Sequence, residues 1–328
     1  MKKALKGFSE YDRFGPWIDE VKRMDDVPRL YRSYPIDFSV ERLVLKVPRD
    51  ITHRNATPEM DLYDHLIMVG RDRLTVLSRR NGRSLRAETH ATTSDKARGY
   101  DVVEIQFADI VAIRNSLNLL DGRLTVSTSE GTPVKVSYNG SAVNVMRTLV
   151  SELRDVACAK PASPVGEALL AAGSPLARPA VEPEHGPVDT FLASAFLEAH
   201  GANPRLSAWA AHGRRRLTPD ATGMQATIQR MRHALSPMTL HGALFAADEA
   251  AMEVFGRHSW LIRGRAAIYS TSHLVIPFGA PDRLDLEPHP LYPDVTVATL
   301  GAGKWKEELP VPRGSVAEHL LREAASKI

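Results

Sequence analysis

The 328-residue chain has one cysteine, Cys158. A lone thiol excludes an intramolecular disulfide and a cysteine-rich zinc site, and it fits a reducing, cytoplasmic setting. No stretch approaches the ~18 consecutive apolar residues of a membrane-spanning helix. The opening residues, MKKALKGFSEYDRFG, put two lysines ahead of no apolar run, so no secretory signal is expected. Excess charge is small: 42 basic against 39 acidic residues leave a net +3. That balance does not point to nucleic acid, whose recognition needs a concentrated basic patch. Catalytic signatures are missing too. There is no G-x-S-x-G elbow, no H-E-x-x-H and no G-x-G-x-x-G. Gly301-Ala302-Gly303-Lys304 lacks the earlier glycine of a phosphate loop, and Trp305 stands in the Ser/Thr place, so it reads as a hairpin turn. None of the 12 histidines has a second one two to four residues away. Cys158 has only Lys160 nearby to activate it and reads as inert. No catalytic residue, metal or cofactor is therefore assigned, and an enzyme with an unrecognised site is the least favoured reading.

What the chain does contain is a succession of short apolar segments. Pro16 with Trp17, Ile18, Val21 and Met24 predicts a short helix, and residues 1–37 are expected to cover the first domain. Trp17 is expected in the core, with a partner anchor as the sharper alternative. From Phe38 to Tyr138 about seven strands follow at short spacing, with turns expected at Gly70-Arg71-Asp72, Asp121-Gly122 and Glu130-Gly131. Ser141 is the expected N-cap of a helix that turns Val143, Met146, Leu149, Val150 and Leu153 to one face. Residues 38–157 thus form one domain. Residues 158–187 carry six prolines in an Ala-rich run and read as a linker, with room for a brief helix over 165–172. Residues 188–237 read as a helical connector. Asp189, Phe191, Leu192, Ala195, Phe196 and Ala199 make one stripe, and a second helix is expected after Thr218-Pro219. Residues 238–328 return to strands and end in a helix with Ser315 and Glu318 as a capping box.

The two strand regions repeat one order of signals. LIMVGRDRLTVLSRR aligns with ALFAADEAAMEVFGR, Ile105 and Phe107 with Ile276 and Phe278, and helix 141–157 with 315–327. The strand pair followed by "I-x-F" resembles the bacterial pleckstrin-homology-like (PH-like) family, in two tandem copies. The resemblance implies a mainly β fold with helices: two bent β-barrels, each closed by a C-terminal helix, with a helical segment between them. Pro281, where the first copy has Ile110, implies an edge strand or one that starts later. The first strand of the second copy is not evident. Either part of 224–238 supplies it or that barrel is incomplete.

PH-like folds usually bind, so the leading expectation is a scaffold that binds a protein or peptide partner, or itself. One route is strand addition between an edge strand and the closing helix, with intramolecular filling of that groove by 188–235 as an alternative. A peripheral module for anionic lipid is the alternative. Its candidate is the basic loop Arg79, Arg80, Arg83, Arg86, Lys96 and Arg98, which faces only Glu88 and Asp95. A second basic cluster, Arg214, Arg215 and Arg216 near Trp209, reads most simply as a helix end, where cations meet the negative dipole.

Overall fold

The computed structural model describes residues 9–80, 99–180, 184, 189–220, 236–263 and 269–328. They form several open antiparallel sheets with helices laid on them. In the first half, Asp19–Glu20 (β1), Leu43–Pro48 (β2), Tyr63–Val69 (β3), Arg73–Arg79 (β4) and Tyr100–Gln106 (β5) make a five-stranded sheet in chain order. Ile110–Asn118 (β6), Asp121–Thr128 (β7) and Val134–Asn139 (β8) follow, then helix Val143–Ala157 (α1). Strand side chains alternate in direction, and here both faces are buried. Leu45, Ile67, Val69 and Val76 enter one core with the buried face of α1. Val44, Leu66, Met68 and Leu77 enter another, covered by Phe14, Val21, Val27 and Tyr31 of the N-terminal segment.

The second half begins with helices Pro164–Gly173 (α2) and Thr190–Ala202 (α3). Strands Ser207–His212 (β9), Arg215–Leu217 (β10), Met238–Leu240 (β11), Ala243–Ala247 (β12), Ala251–Gly256 (β13), Leu261–Arg263 (β14) and Ser270–Pro277 (β15) follow. Arg283–Pro288 (β16), Val295–Ala302 (β17), Trp305–Pro312 (β18) and helix Val316–Ala325 (α4) complete it. β16, β17 and β18 make one three-stranded sheet, and β10, β11 and β14 a small second one. β9, β12, β13 and β15 do not stand alone. Antiparallel pairing of β15 with β6 joins them to β6–β8 in one seven-stranded sheet. The cores interlock across that seam. Ala251 and Val275 pack into the first-half core under α1, while Val111 and Ala112 pack into the second-half core.

Apart from the two-residue β1 and the small β10–β11–β14 sheet, each half therefore runs four strands, three strands and a helix. The register repeats as well. Leu74 pairs with Ile105 and Met252 with Ile276, and the Phe107 and Phe278 amides donate to Asp72 and Ala250. This moves the alignment of the first hairpins by one residue, pairing Leu74 with Met252 instead of Ala251. In a strand that shift changes which face every side chain takes.

Several expectations are corrected. No closed barrel forms among the described residues, because β6 continues into the second half's sheet instead of rolling onto its own. Residues 16–23 are not helical, and Met24 only opens a single 3-10 turn, Met24–Asp26. Ile18 and Val21 enter different cores because an odd offset along an extended chain places side chains on opposite faces, and Trp17 is left 62% exposed. The β6–β7 turn lies at Leu119-Leu120, with Asp121 and Gly122 already in β7. Asn139, not Ser141, caps the entry to α1; its side chain accepts the Ser141 amide at 3.0 Å. The missing first strand is β9, so the second half begins well before residue 238. The helix expected after Pro219 falls mainly on residues outside those described. Other expectations hold. β16 starts after Pro281 and lies at a sheet edge, and Gly303, with φ +60°, turns the β17–β18 hairpin.

The segment read as a linker holds α2, whose Val165, Leu169 and Ala172 pack with Leu320, Leu321 and Ala324 of α4. Apolar residues three and four apart outweigh the proline count, and Pro164 sits in the first turn, where a missing amide is harmless. A Cβ at Gly166 would lie 2.1 Å from the Phe278 carbonyl oxygen. Gly166→Ala is therefore expected to destabilise the chain by about 1–3 kcal/mol in urea unfolding. A solvated linker helix would instead gain up to about 1 kcal/mol from alanine.

Candidate functional site

Two helices share one face of the seven-stranded sheet. α1 lies over β6 and β15, and α3 lies over β12 and β13 through Leu192 and Phe196. Between them runs a cleft of about 1070 Å³, floored by Asn115, Leu117, Thr271, His273 and Phe255. Arg147 of α1 meets Glu198 of α3 at 2.8 Å. Arg154 near the end of α1 and Asn203 after α3 both reach Asp248, at 2.5 and 2.8 Å. The helices thus run in the same direction, and this shared carboxylate closes the cleft at their C-terminal end. Asp189 caps α3 by accepting the Phe191 amide at 3.2 Å and holds Arg257 through both carboxylate oxygens, which ties the helix to the sheet.

The closed end is a buried ion network. Arg154 Nε donates to Glu253 at 2.6 Å, and His273 Nε2 lies 2.7 Å from the other Glu253 oxygen. The His273 ring stacks on Phe255, with centroids 4.5 Å apart. Burial works to raise the Glu253 and Asp248 pKa values, but it is outweighed. His273 and Arg154 hold Glu253 below the usual carboxylate range; the Ala250 amide, Arg154 and Asn203 do the same for Asp248. Desolvation works against a charged Arg154, yet Glu253 and Asp248 keep its guanidinium above its ordinary value. Cys158 also lines the cleft, but burial pushes its thiol up to about 12, so it stays protonated and a poor nucleophile. No group of three or more metal-ligating side chains occurs among the described residues.

The basic residues singled out from sequence do not form this cleft. Arg79 is paired with Asp64 at 2.6 Å and Arg80 with Asp101 at 2.7 Å. Arg83, Arg86, Lys96 and Arg98 lie outside the described residues. Arg214–Arg216 is not a helix end. Arg215 and Arg216 belong to β10, paired with β11, and Arg215 lies 3.5 Å from Asp294. Trp209 is buried against Phe278, away from solvent, and offers no stacking surface. Sequence reading missed Arg154, Asp248, Glu253 and His273. One signal was present: in AMEVFG a lone glutamate interrupts an apolar strand, and a charge in that position needs a buried partner.

Comparison of the chain with protein-family models, with curated proteins and with solved structures finds no match.

Arg154→Met removes the guanidinium shared by two buried carboxylates, and at neutral pH it is expected to cost about 3–5 kcal/mol in denaturant unfolding. In the parent chain both carboxylates titrate below their ordinary values. Their contribution is complete above the unfolded-state pKa of about 4 and is lost as pH falls through the folded-state values. In the variant, protonation relieves the unpaired charges. The stability gap between the two chains should therefore narrow on acidification, and a gap that widened would contradict this account.

Proposed function

We propose that the chain is a non-catalytic interaction protein built from two PH-like units, and that it holds an apolar segment of a protein partner in the α1–α3 cleft. Support for the PH-like reading is the repeated order of four strands, three strands and a helix, with matching register at the "I-x-F" step. The internal join follows the logic of peptide recognition. β15 adds antiparallel to the β6 edge beside α1, as an incoming peptide strand adds to a sheet edge. That groove is therefore occupied from within, by β15 and not by the described residues of the 188–235 segment. The cleft that remains lies one step further along the sheet.

The observation that carries the proposal is the composition of the cleft. Leu117, Val143, Phe191 and Ala195 offer apolar surface, while Arg147 is paired with Glu198, and Arg154 with Asp248 and Glu253. With its central charges paired, and with Glu152, Asp155 and Glu249 outnumbering Lys160 and Arg205 among its other lining residues, the cleft is ill suited to phosphate and selects by shape and apolar contact. The raised thiol pKa of Cys158 and the lack of a ligand cluster for a metal weigh against catalysis there.

Thr148 on α1 and Ser194 on α3 are exposed residues lining the cleft, so tryptophan at either fills it without touching a core. The test is binding of the purified chain to an immobilised library of short peptides. Selection of apolar sequences is expected, with affinity reduced about tenfold or more in Thr148→Trp and Ser194→Trp and little changed by added salt. Undiminished binding by both filled variants would exclude the cleft. Salt-sensitive flotation with anionic vesicles, in place of peptide binding, would favour the lipid alternative.

A further inference from the structure

The β6–β7 hairpin turns on Leu119 and Leu120. Two-residue hairpin loops favour Asn-Gly or similar pairs, because their backbone must enter the left-handed region. Here Leu119 takes φ +57°, the one non-glycine residue with positive φ among those described. Both leucines are 64% exposed, and Tyr269, next to the Ser270 that pairs with Asn118, is 59% exposed. A leucine in left-handed backbone is strained, and exposed leucines gain little from burial, so fold stability alone does not account for this turn. The turn is nonetheless held firmly. The Gly140 amide donates to the Leu120 carbonyl at 2.7 Å. A Cβ at Gly140 would meet Leu117 Cδ1 at 2.6 Å and Leu120 Cα at 3.0 Å. The two leucines thus stand on a fixed stem. Leu117, two residues from the tip, lines the cleft where α1 and α3 begin, opposite the end closed by Asp248.

We propose that the Leu119–Leu120 tip of one copy docks into the cleft mouth of a second copy, each chain giving a tip and receiving one. This rests on the reading of the cleft as an interaction site and names its occupant. A projecting apolar turn and the apolar part of the cleft, formed by Leu117, Val143 and Phe191, lie side by side on one surface. A two-fold axis between them satisfies both contacts at once and closes the assembly at a dimer. Asp121, exposed at the base of the tip, disfavours an anionic bilayer as the alternative occupant. Two tips bury less than the ~1,200 Å² of standard stable complexes, so the dimer is weak and depends on concentration.

Sedimentation velocity of the full chain over a concentration series tests this. The parent is expected to move toward dimer as concentration rises. Leu119→Gly/Leu120→Asn, which puts glycine at the one positive-φ position of the turn, should remain monomeric while its thermal midpoint rises. Ser194→Trp should also remain monomeric, and an equimolar mixture of the two variants should regain part of the association, since one tip then meets one open cleft. A parent monomeric at every concentration, or a turn variant that associates like the parent, overturns the proposal. If peptide binding remains sensitive to Thr148→Trp in a monomeric parent, only the identity of the occupant fails and the cleft reading stands. Association lost in the turn variant but untouched by Ser194→Trp would place the tip elsewhere and also overturn it. Vesicle flotation by the parent that the turn variant loses would reassign the tip to a bilayer.

Discussion

The antiparallel pairing of β6 with β15 is the contact on which the other features of the molecule depend. An unpaired strand edge carries a row of backbone donors and acceptors, and without each other β6 and β15 would each present one. Joining them satisfies both and turns two short sheets into one of seven strands. Its two faces then serve different cores, α1 and the first-half residues on one side, α2 and α4 with the second-half residues on the other. Secondary contacts reinforce the seam. The Lys304 amide donates to the Ser129 carbonyl at 2.7 Å, and Arg114 pairs with Glu307 beside Trp260. A cleft between α1 and α3 exists only because this seam lays a helix of the first half beside a helix of the second.

The same pairing does not propagate. By the repeat, β16 occupies the place of β6 and β5 the place of β15, and each lies at a sheet edge. Yet β16 follows Pro281 and ends at Pro288, and its Asp285 and Glu287 would approach the Asp101 and Glu104 of an incoming β5. Missing donors and like charges both oppose strand addition there. The other edge of the long sheet is closed differently, by Arg178 and Glu184 bonding along β9. Strand-to-strand assembly is thus suppressed at these edges.

The buried ion network sets the depth of the cleft. Arg154, Asp248, Glu253 and His273 replace apolar packing at the closed end and link α1 to β13 and β15. Buried ion pairs add little net stability over apolar residues of the same shape, but they tolerate few alternative arrangements. The network therefore serves to define the relative placement of the two halves more than to strengthen it.

Much of the local structure was legible in the chain. Strand alternation from Leu43 to Tyr138, the faces of α1 and α4, the Ser315 cap, the Gly303 turn and the late start of β16 all follow from periods and residue types that act over a few positions. The repeat was legible too, though one hairpin aligned a residue out of register. What misled was evaluated locally and decided remotely. Ile18 and Val21 have helical spacing but are drawn into two cores by the β2 edge, and the proline-rich segment holds a helix because α4 gives it a surface to cover. SAWAAH has no strand signature of its own, and pairing with β12 makes it one. By itself the sequence determined the elements, their order and their apolar faces, because propensity and amphipathicity are properties of neighbouring residues. Only the tertiary structure decided that the halves share a sheet, that Arg79 and Arg80 are already paired, and that α1 and α3 enclose a cleft. Those outcomes depend on which distant edges and charges meet, and no spacing along the chain encodes such a meeting.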